Sequence, residues 1–386
     1  MSAALPSYRA RFPILAERSY FTAQCLGPLL EETFADLDEF RRTLTVRSRA
    51  LEAWVMRMLE VTDLFEKVLG APSGTVALRD SATACHAAII SALEPQGERR
   101  AIVTCQQLHF RSSRYLWDAQ LKRGFELVNV PAHGRPWLAA DELCRTIDER
   151  TAVVALPLVS PVSGAMLPIA EVAAHARRMG AITVVDAYQA LGIVPVNVET
   201  LGADVLIGGS HKWLCGGDMG LACMFVEGTL AERLEPAYPG WIGHQNLREA
   251  TPNFEPAAGA PKFQQGSPSM APIYTARAGL RFLLEVSVEA MRARSLTLTA
   301  RLIETLQTSG ITVATPSEPE RRGGMLCVNA PQPERIVEVL AAEGIDIDAR
   351  SDAGLRIGPF PCLDDAECDR LAKRIIELVR DARRAS

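Results

Sequence analysis

The chain has 386 residues, 48% of them hydrophobic, and carries 41 lysines and arginines against 46 aspartates and glutamates, a net charge of −5. That apolar content supports a large buried core and excludes a wholly disordered chain. The acidic balance, with a pI of about 5.8, argues against a dedicated nucleic-acid surface.

Arginines at 9, 11 and 18 interrupt the stretch Met1–Phe21, which therefore does not read as a signal peptide. No apolar run approaches the ~18 residues that span a membrane. From Leu30 to Leu69, apolar residues recur at helical spacing. Short apolar runs then alternate with helical segments. Strands are expected at Thr75–Leu78, Ala101–Thr104, Glu126–Val130, Ala152–Leu156, Ile182–Val185, Val205–Ile207 and Leu221–Phe225. Helices are expected at Ala82–Leu93, Ser112–Lys122, Ala139–Asp148 and Ile169–Met179. Such alternation predicts a wound, mainly parallel α/β sheet covered on both faces.

Proline and glycine cluster from Glu235 to Pro272, a long irregular connection of the kind that is usually functional. Helical stretches follow at Ile273–Glu285 and Val288–Thr308. The tail alternates through Met325–Asn329, a helix Glu334–Glu343, Ile345–Asp348, Leu355–Ile357 and a last helix Asp364–Arg383, predicting a smaller α+β C-terminal domain. The nine cysteines show no C-x-x-C pair, so they read as small buried hydrophobes of a reducing compartment, and a cytoplasmic location is expected. The six histidines show no ligand-like spacing, and no metal site is expected.

Chemistry concentrates in Ile182–Val226. Asp186 ends an apolar strand, where open α/β sheets bind ligands. The next strand runs into Gly208-Gly209-Ser210-His211-Lys212, bringing a lysine to the same sheet edge as the carboxylate. An aldehyde cofactor needs both, the lysine to form an imine and the acid to hold a pyridine nitrogen protonated. Alone, Asp186 would pass for a turn residue and Lys212 for a surface lysine. Asp80-Ser81-Ala82-Thr83 opens a helix directly after a strand, an anion site suited to a phosphate. No P-loop lysine and no G-x-G-x-x-G after a strand supports a nucleotide site instead.

These residues together resemble the fold type I, class V family of pyridoxal-phosphate enzymes, whose hallmark is a strand-end Asp, then Ala/Gly-x-Gln/His, and a downstream Ser-x-Lys. The likeness spans nearly the whole chain. It implies pyridoxal 5′-phosphate as cofactor, a seven-stranded mainly parallel sheet, an amino-acid substrate and a homodimer. It also implies three parts: an N-terminal segment 1–30 packing with the small domain, a cofactor domain 31–270 and a small domain 271–386. Lys212 and Asp186 would be catalytic, and Ser81, Ala82, Thr83 and Ser210 would hold the phosphate. His109 or Phe110 would stack on the ring, Gln189 would bond its phenolic oxygen, and His211, Trp241 and Ser267 would complete the cofactor site.

Within class V, three segments resemble kynureninases: Phe21–Pro28, Gly240-Trp241-Ile242-Gly243-His244, and Gly344–Asp352 running on to Leu355–Pro359. That likeness implies hydrolysis or lysis of the side chain of an aromatic β-keto or β-substituted amino acid. Arg356 would clamp the α-carboxylate, with Gln24 and Ser267 lining the substrate. Gln189 and His211 stand where kynureninases usually carry His and Tyr; Gln and His at these two places are commoner in cysteine desulfurases and other class V members. No cysteine lies between Gly344 and Arg356, where a desulfurase needs its thiolate. A class V aminotransferase, a C–S lyase without the persulfide cysteine, and a degenerate cofactor-binding protein are the alternatives. Retention of Asp186, Lys212 and Arg356 together speaks against the last.

Overall fold

The computed structural model describes residues 5–247 and 252–384, so residues 248–251 of the Pro/Gly-rich connection lie outside the described residues. In chain order the described strands are β1 (Ser19–Tyr20), β2 (Val76–Arg79), β3 (Ala101–Thr104), β4 (Glu126–Asn129), β5 (Thr151–Pro157), β6 (Ile182–Asp186), β7 (Val205–Gly209), β8 (Ala222–Val226), β9 (Leu326–Val328), β10 (Ile345–Asp346), β11 (Asp348–Arg350) and β12 (Gly354–Ile357).

The expected main sheet is present, in the order β2-β8-β7-β6-β5-β3-β4. Pairing is parallel from β4 across to β7 and antiparallel on both sides of β8. Only β8 therefore runs against the others, and the carboxyl ends of β2, β3, β6 and β7 share one edge. Alternate residues serve opposite faces. Val154 and Leu156 of β5 join one apolar cluster, whereas Val153 and Ala155 join the other. Both faces are covered, which is why these strands read as continuous apolar runs.

Several boundaries differ from expectation for local reasons. The helical spacing over Leu30–Leu69 resolves into two helices, Glu31–Thr45 and Ala50–Leu69. The hydroxyls of Thr43 and Thr45 bond back to the carbonyls of Phe40 and Arg42 at 2.6 and 2.7 Å, competing with helical bonding at the break. The helix expected over Ala139–Asp148 shrinks to Ala140–Cys144, with Thr146 Oγ1 donating to Leu143 O at 2.7 Å. The strand expected over Ile345–Asp348 divides between β10 and β11, which belong to different sheets.

The N-terminal segment stitches the tail to the main sheet. β1 pairs in parallel with β10, and Gly358 N donates to Phe21 O at 2.7 Å. Six residues on, Gly27 N donates to His211 O at 2.8 Å. A Cβ at Gly27 would lie 1.9 Å from the Lys212 carbonyl oxygen, so only glycine permits this approach. Gly27→Ala is expected to lower stability by about 1–3 kcal/mol and to loosen the lysine loop. Urea unfolding, together with proteolysis of the N-terminal segment, checks this.

Candidate active site

Asp186 closes β6 and is buried at the sheet edge. Its Oδ1 accepts from the Tyr188 backbone N–H at 3.0 Å, and its Oδ2 accepts from Ser113 Oγ at 3.4 Å. β7 leaves the adjacent position through Gly208 and Gly209 to reach Lys212. A Cβ at Gly208 would lie 2.1 Å from Leu191 Cδ1, and one at Gly209 would lie 2.0 Å from Tyr188 Cζ. Two glycines in succession are therefore what the packing admits before the lysine.

Lys212 is partly buried, and its pKa falls from 10.5 to about 8. Burial is the main cause and the positive charge of Arg356 adds to it, while the carboxylate of Asp186 acts in the opposite sense. The amine is thus a usable nucleophile and base near neutrality. His211, beside it, is held neutral, its pKa drawn to about 4 by burial and then by the Lys212 charge.

His109 follows β3 through the turn Gln106–Leu108 and is buried, with Nε2 3.2 Å from Ala155 O. Its Nε2 therefore carries the proton, because a carbonyl only accepts. Burial draws its pKa to about 4, against the pull of Asp186. Nδ1 has no partner. Phe110 instead faces outward, with the Arg350 guanidinium 5.7 Å above its ring. Gln189 donates from Nε2 to Gln24 O at 2.9 Å and accepts at Oε1 from Trp213 Nε1 at 3.2 Å. Both contacts fix the amide orientation, and one N–H of Nε2 remains for a ligand.

Ser81 caps the helix Ala82–Ser91, accepting from Ala84 N at 3.2 Å, and Ala82 and Thr83 form its first turn. That helix end stands at the same edge as Asp186, because β2 runs with β6. Ser210 is fully buried, and its hydroxyl donates to Leu221 O at 3.3 Å. Trp241 is 41% exposed, and its Nε1 donates to Ser267 Oγ at 3.3 Å. Among the described residues, hydrogen bonds link neither Trp241 nor Ser267 to Lys212, Asp186 or Arg356.

Arg356 and Asp348 are direct cross-strand partners of β12 and β11. Arg356 Nε donates to Asp348 Oδ1 at 2.8 Å, and Nη2 bonds the other carboxylate oxygen. This side-on pairing leaves the outer edge of the guanidinium, with both Nη1 protons, free to grip an anion. Gln24 is fully buried and donates to Asp348 Oδ1 at 3.2 Å, so it braces the partner of Arg356. Sequence reasoning missed Ser113, Asp348, Trp213 and Tyr188. Asp348 was legible as a neighbour of Arg350 on the same strand face; Ser113 and Trp213 carry no motif signal.

A parallel-rich sheet with a carboxylate and a depressed lysine at its carboxyl edge defines a fold type I pyridoxal-phosphate enzyme. The aminotransferase class-V family profile matches residues 46–358, and the chain belongs to that family. Its cofactor is pyridoxal 5′-phosphate. Curated relatives include a kynureninase of Pseudomonas fluorescens, 28% identical over 76% of this chain and 72% of its own length. A kynureninase of Deinococcus radiodurans is 27% identical over 92% of this chain and 88% of its own length. In fold, a cysteine desulfurase of Thermococcus onnurineus NA1 superposes with a TM-score of 0.85 at 19% identity, covering 97% of this chain and 98% of that one. The cystine C-S lyase C-DES, in complex with its product cysteine persulfide, gives 0.86 at 20% identity over 95% and 99%.

The residues present fit such a cofactor: an unpartnered nitrogen on His109, a spare Gln189 N–H, and a helix N-terminus at the Asp186 edge. Loading the apoprotein with cofactor should accelerate with pH around a midpoint near 8, where the Lys212 amine loses its proton. In Arg356→Gln a repelling positive charge is gone, so the midpoint should move upward. Stopped-flow loading rates across pH 6–10, at roughly half-unit steps, measure both.

Proposed function

We propose that this chain is a kynureninase-like hydrolase or lyase that cleaves the side chain of an aromatic β-keto or β-substituted amino acid. The observation that carries the reading is the Arg356–Asp348 pair. A guanidinium fixed from one side, with its outer edge open and its charge felt at Lys212, is built to hold the α-carboxylate of an amino acid.

The bound pyridoxal 5′-phosphate supplies an electron sink for charge developing at the substrate Cα. Asp186 would keep the pyridine nitrogen protonated, with Ser113 and the Tyr188 backbone N–H orienting that carboxylate. Neutral His109 would pack on the ring, Gln189 would offer its spare N–H to the phenolic oxygen, and the first turn of Ala82–Ser91 would hold the phosphate. Lys212, with its lowered pKa, removes the Cα proton and holds it for return to the product side.

Kynurenine supplied to the loaded enzyme should yield anthranilate and alanine, read by anthranilate fluorescence. Arg356→Lys should lower kcat/KM about 10- to 100-fold, the loss of a charge-assisted fork of ~1.5–3 kcal/mol. A specific observation favours a second reading, a C–S lyase. Cys25 is exposed on the N-terminal segment, within electrostatic reach of both Lys212 and Arg356. Pyruvate, ammonia and sulfide from cysteine, with no anthranilate from kynurenine, would favour it over the first.

The assembly we infer is a cytoplasmic homodimer. Leu37, Leu51, Met56 and Leu59 leave an exposed apolar stripe on the helices Glu31–Thr45 and Ala50–Leu69, and all nine thiols are unpaired, as a reducing compartment requires. Met56→Glu with Leu59→Glu should halve the mass seen by light scattering. An unchanged dimer would place the interface elsewhere.

A further inference from the structure

The Tyr188 side chain has no role in the reading above, yet its ring faces the lysine. Its backbone N–H is held by Asp186, and its ring crosses the backbone of Gly209, where a Cβ would lie 2.2 Å from the hydroxyl oxygen. Lys212 Nζ is 5.7 Å from the ring centroid, and the His211 ring is also at 5.7 Å. The phenolic oxygen reaches the helix Ala82–Ser91, where the Ala82 backbone N–H hydrogen-bonds to it. The phenol thus stands between the lysine and the anion cradle.

We propose that the Tyr188 hydroxyl anchors the cofactor phosphate, and that glycine occupies position 209 so that the ring can reach it. Ser210, the hydroxyl closest in sequence to Lys212, spends its proton on Leu221 O. Ser81 accepts from Ala84 N as a helix cap and keeps its own proton, so the phenol adds a second hydroxyl donor to the cradle. The phenol keeps its proton through the neutral range, because burial and the neighbouring Cys85 and Asp186 raise its pKa well above 10. It is therefore an O–H donor wherever the lysine is active, and a donor to a phosphate dianion makes a strong hydrogen bond.

The inference rests on Lys212 being the cofactor lysine, and the experiment separates the two. Apoprotein is titrated with pyridoxal 5′-phosphate and, separately, with pyridoxal, which lacks the phosphate. The visible band of lysine-bound cofactor reports the Kd of each. Tyr188→Phe keeps the ring and should weaken pyridoxal 5′-phosphate about 10-fold while leaving pyridoxal within about twofold. Gly209→Ala, which must push the ring aside, should show the same phosphate-selective loss if it folds. Equal weakening of both ligands in Tyr188→Phe would make the ring a wall and overturn the anchor, as would no change in either. A band that persists in Lys212→Ala would overturn the lysine assignment, and this proposal with it.

Discussion

The candidate site depends on one electrostatic arrangement, a part-buried amine within reach of a carboxylate and a guanidinium. Lys212 feels Asp186 from β6 and Arg356 from β12 with opposite signs. Burial tips the balance toward the neutral amine, which neither charge alone would decide. A lysine with its ordinary pKa would be protonated at neutral pH and useless as a nucleophile. The fold has to deliver three charged groups from separate parts of the chain to one place, and keep them there.

Two features of the backbone do this. In the main sheet, strand direction puts Asp186, Lys212, His109 and Ser81 at one edge, because only β8 is reversed. Arg356 belongs to the separate sheet β11-β12-β9 and would otherwise be free of that edge. The N-terminal segment fixes it. Phe21 bonds Gly358, just past Arg356; Gln24 bonds both Asp348 and Gln189; and Gly27 bonds the carbonyl of His211. A span from Phe21 to Gly27 therefore connects the Arg356–Asp348 pair to the lysine loop through hydrogen bonds and one obligatory glycine. Gln24, expected from the sequence to line the substrate, also ties Asp348 to Gln189.

What was legible in the sequence follows the same division. Strands buried on both faces announce themselves as apolar runs, and the strand-end Asp186 and Lys212 could be found from pattern alone. Boundaries failed where side chains compete with the backbone, as Thr43, Thr45 and Thr146 do. Contacts between distant segments were illegible for a different reason. Nothing near Ser113 marks it as the partner of Asp186, since that pairing is created only when the helix Arg111–Asp118 packs over β6. His109 and Phe110, alternatives for the same role in sequence, differ in burial, one turned inward and the other outward beneath Arg350.

Position 188 shows how far a motif can hide its own chemistry. Reading Asp186-Ala187-x-Gln189 as a signature treats position 188 as filler. Yet a tyrosine there is tolerated only because position 209, on the next strand, has no side chain to meet it. The pair is a single steric unit written in two places. Its ring and its partner glycine lie against the lysine loop, so a substitution at either site alters the walls of the cofactor cleft without touching Lys212 or Asp186. The residues that set the chemistry of a class V site are legible as a motif, while those that shape its cleft become readable only when the strands are side by side.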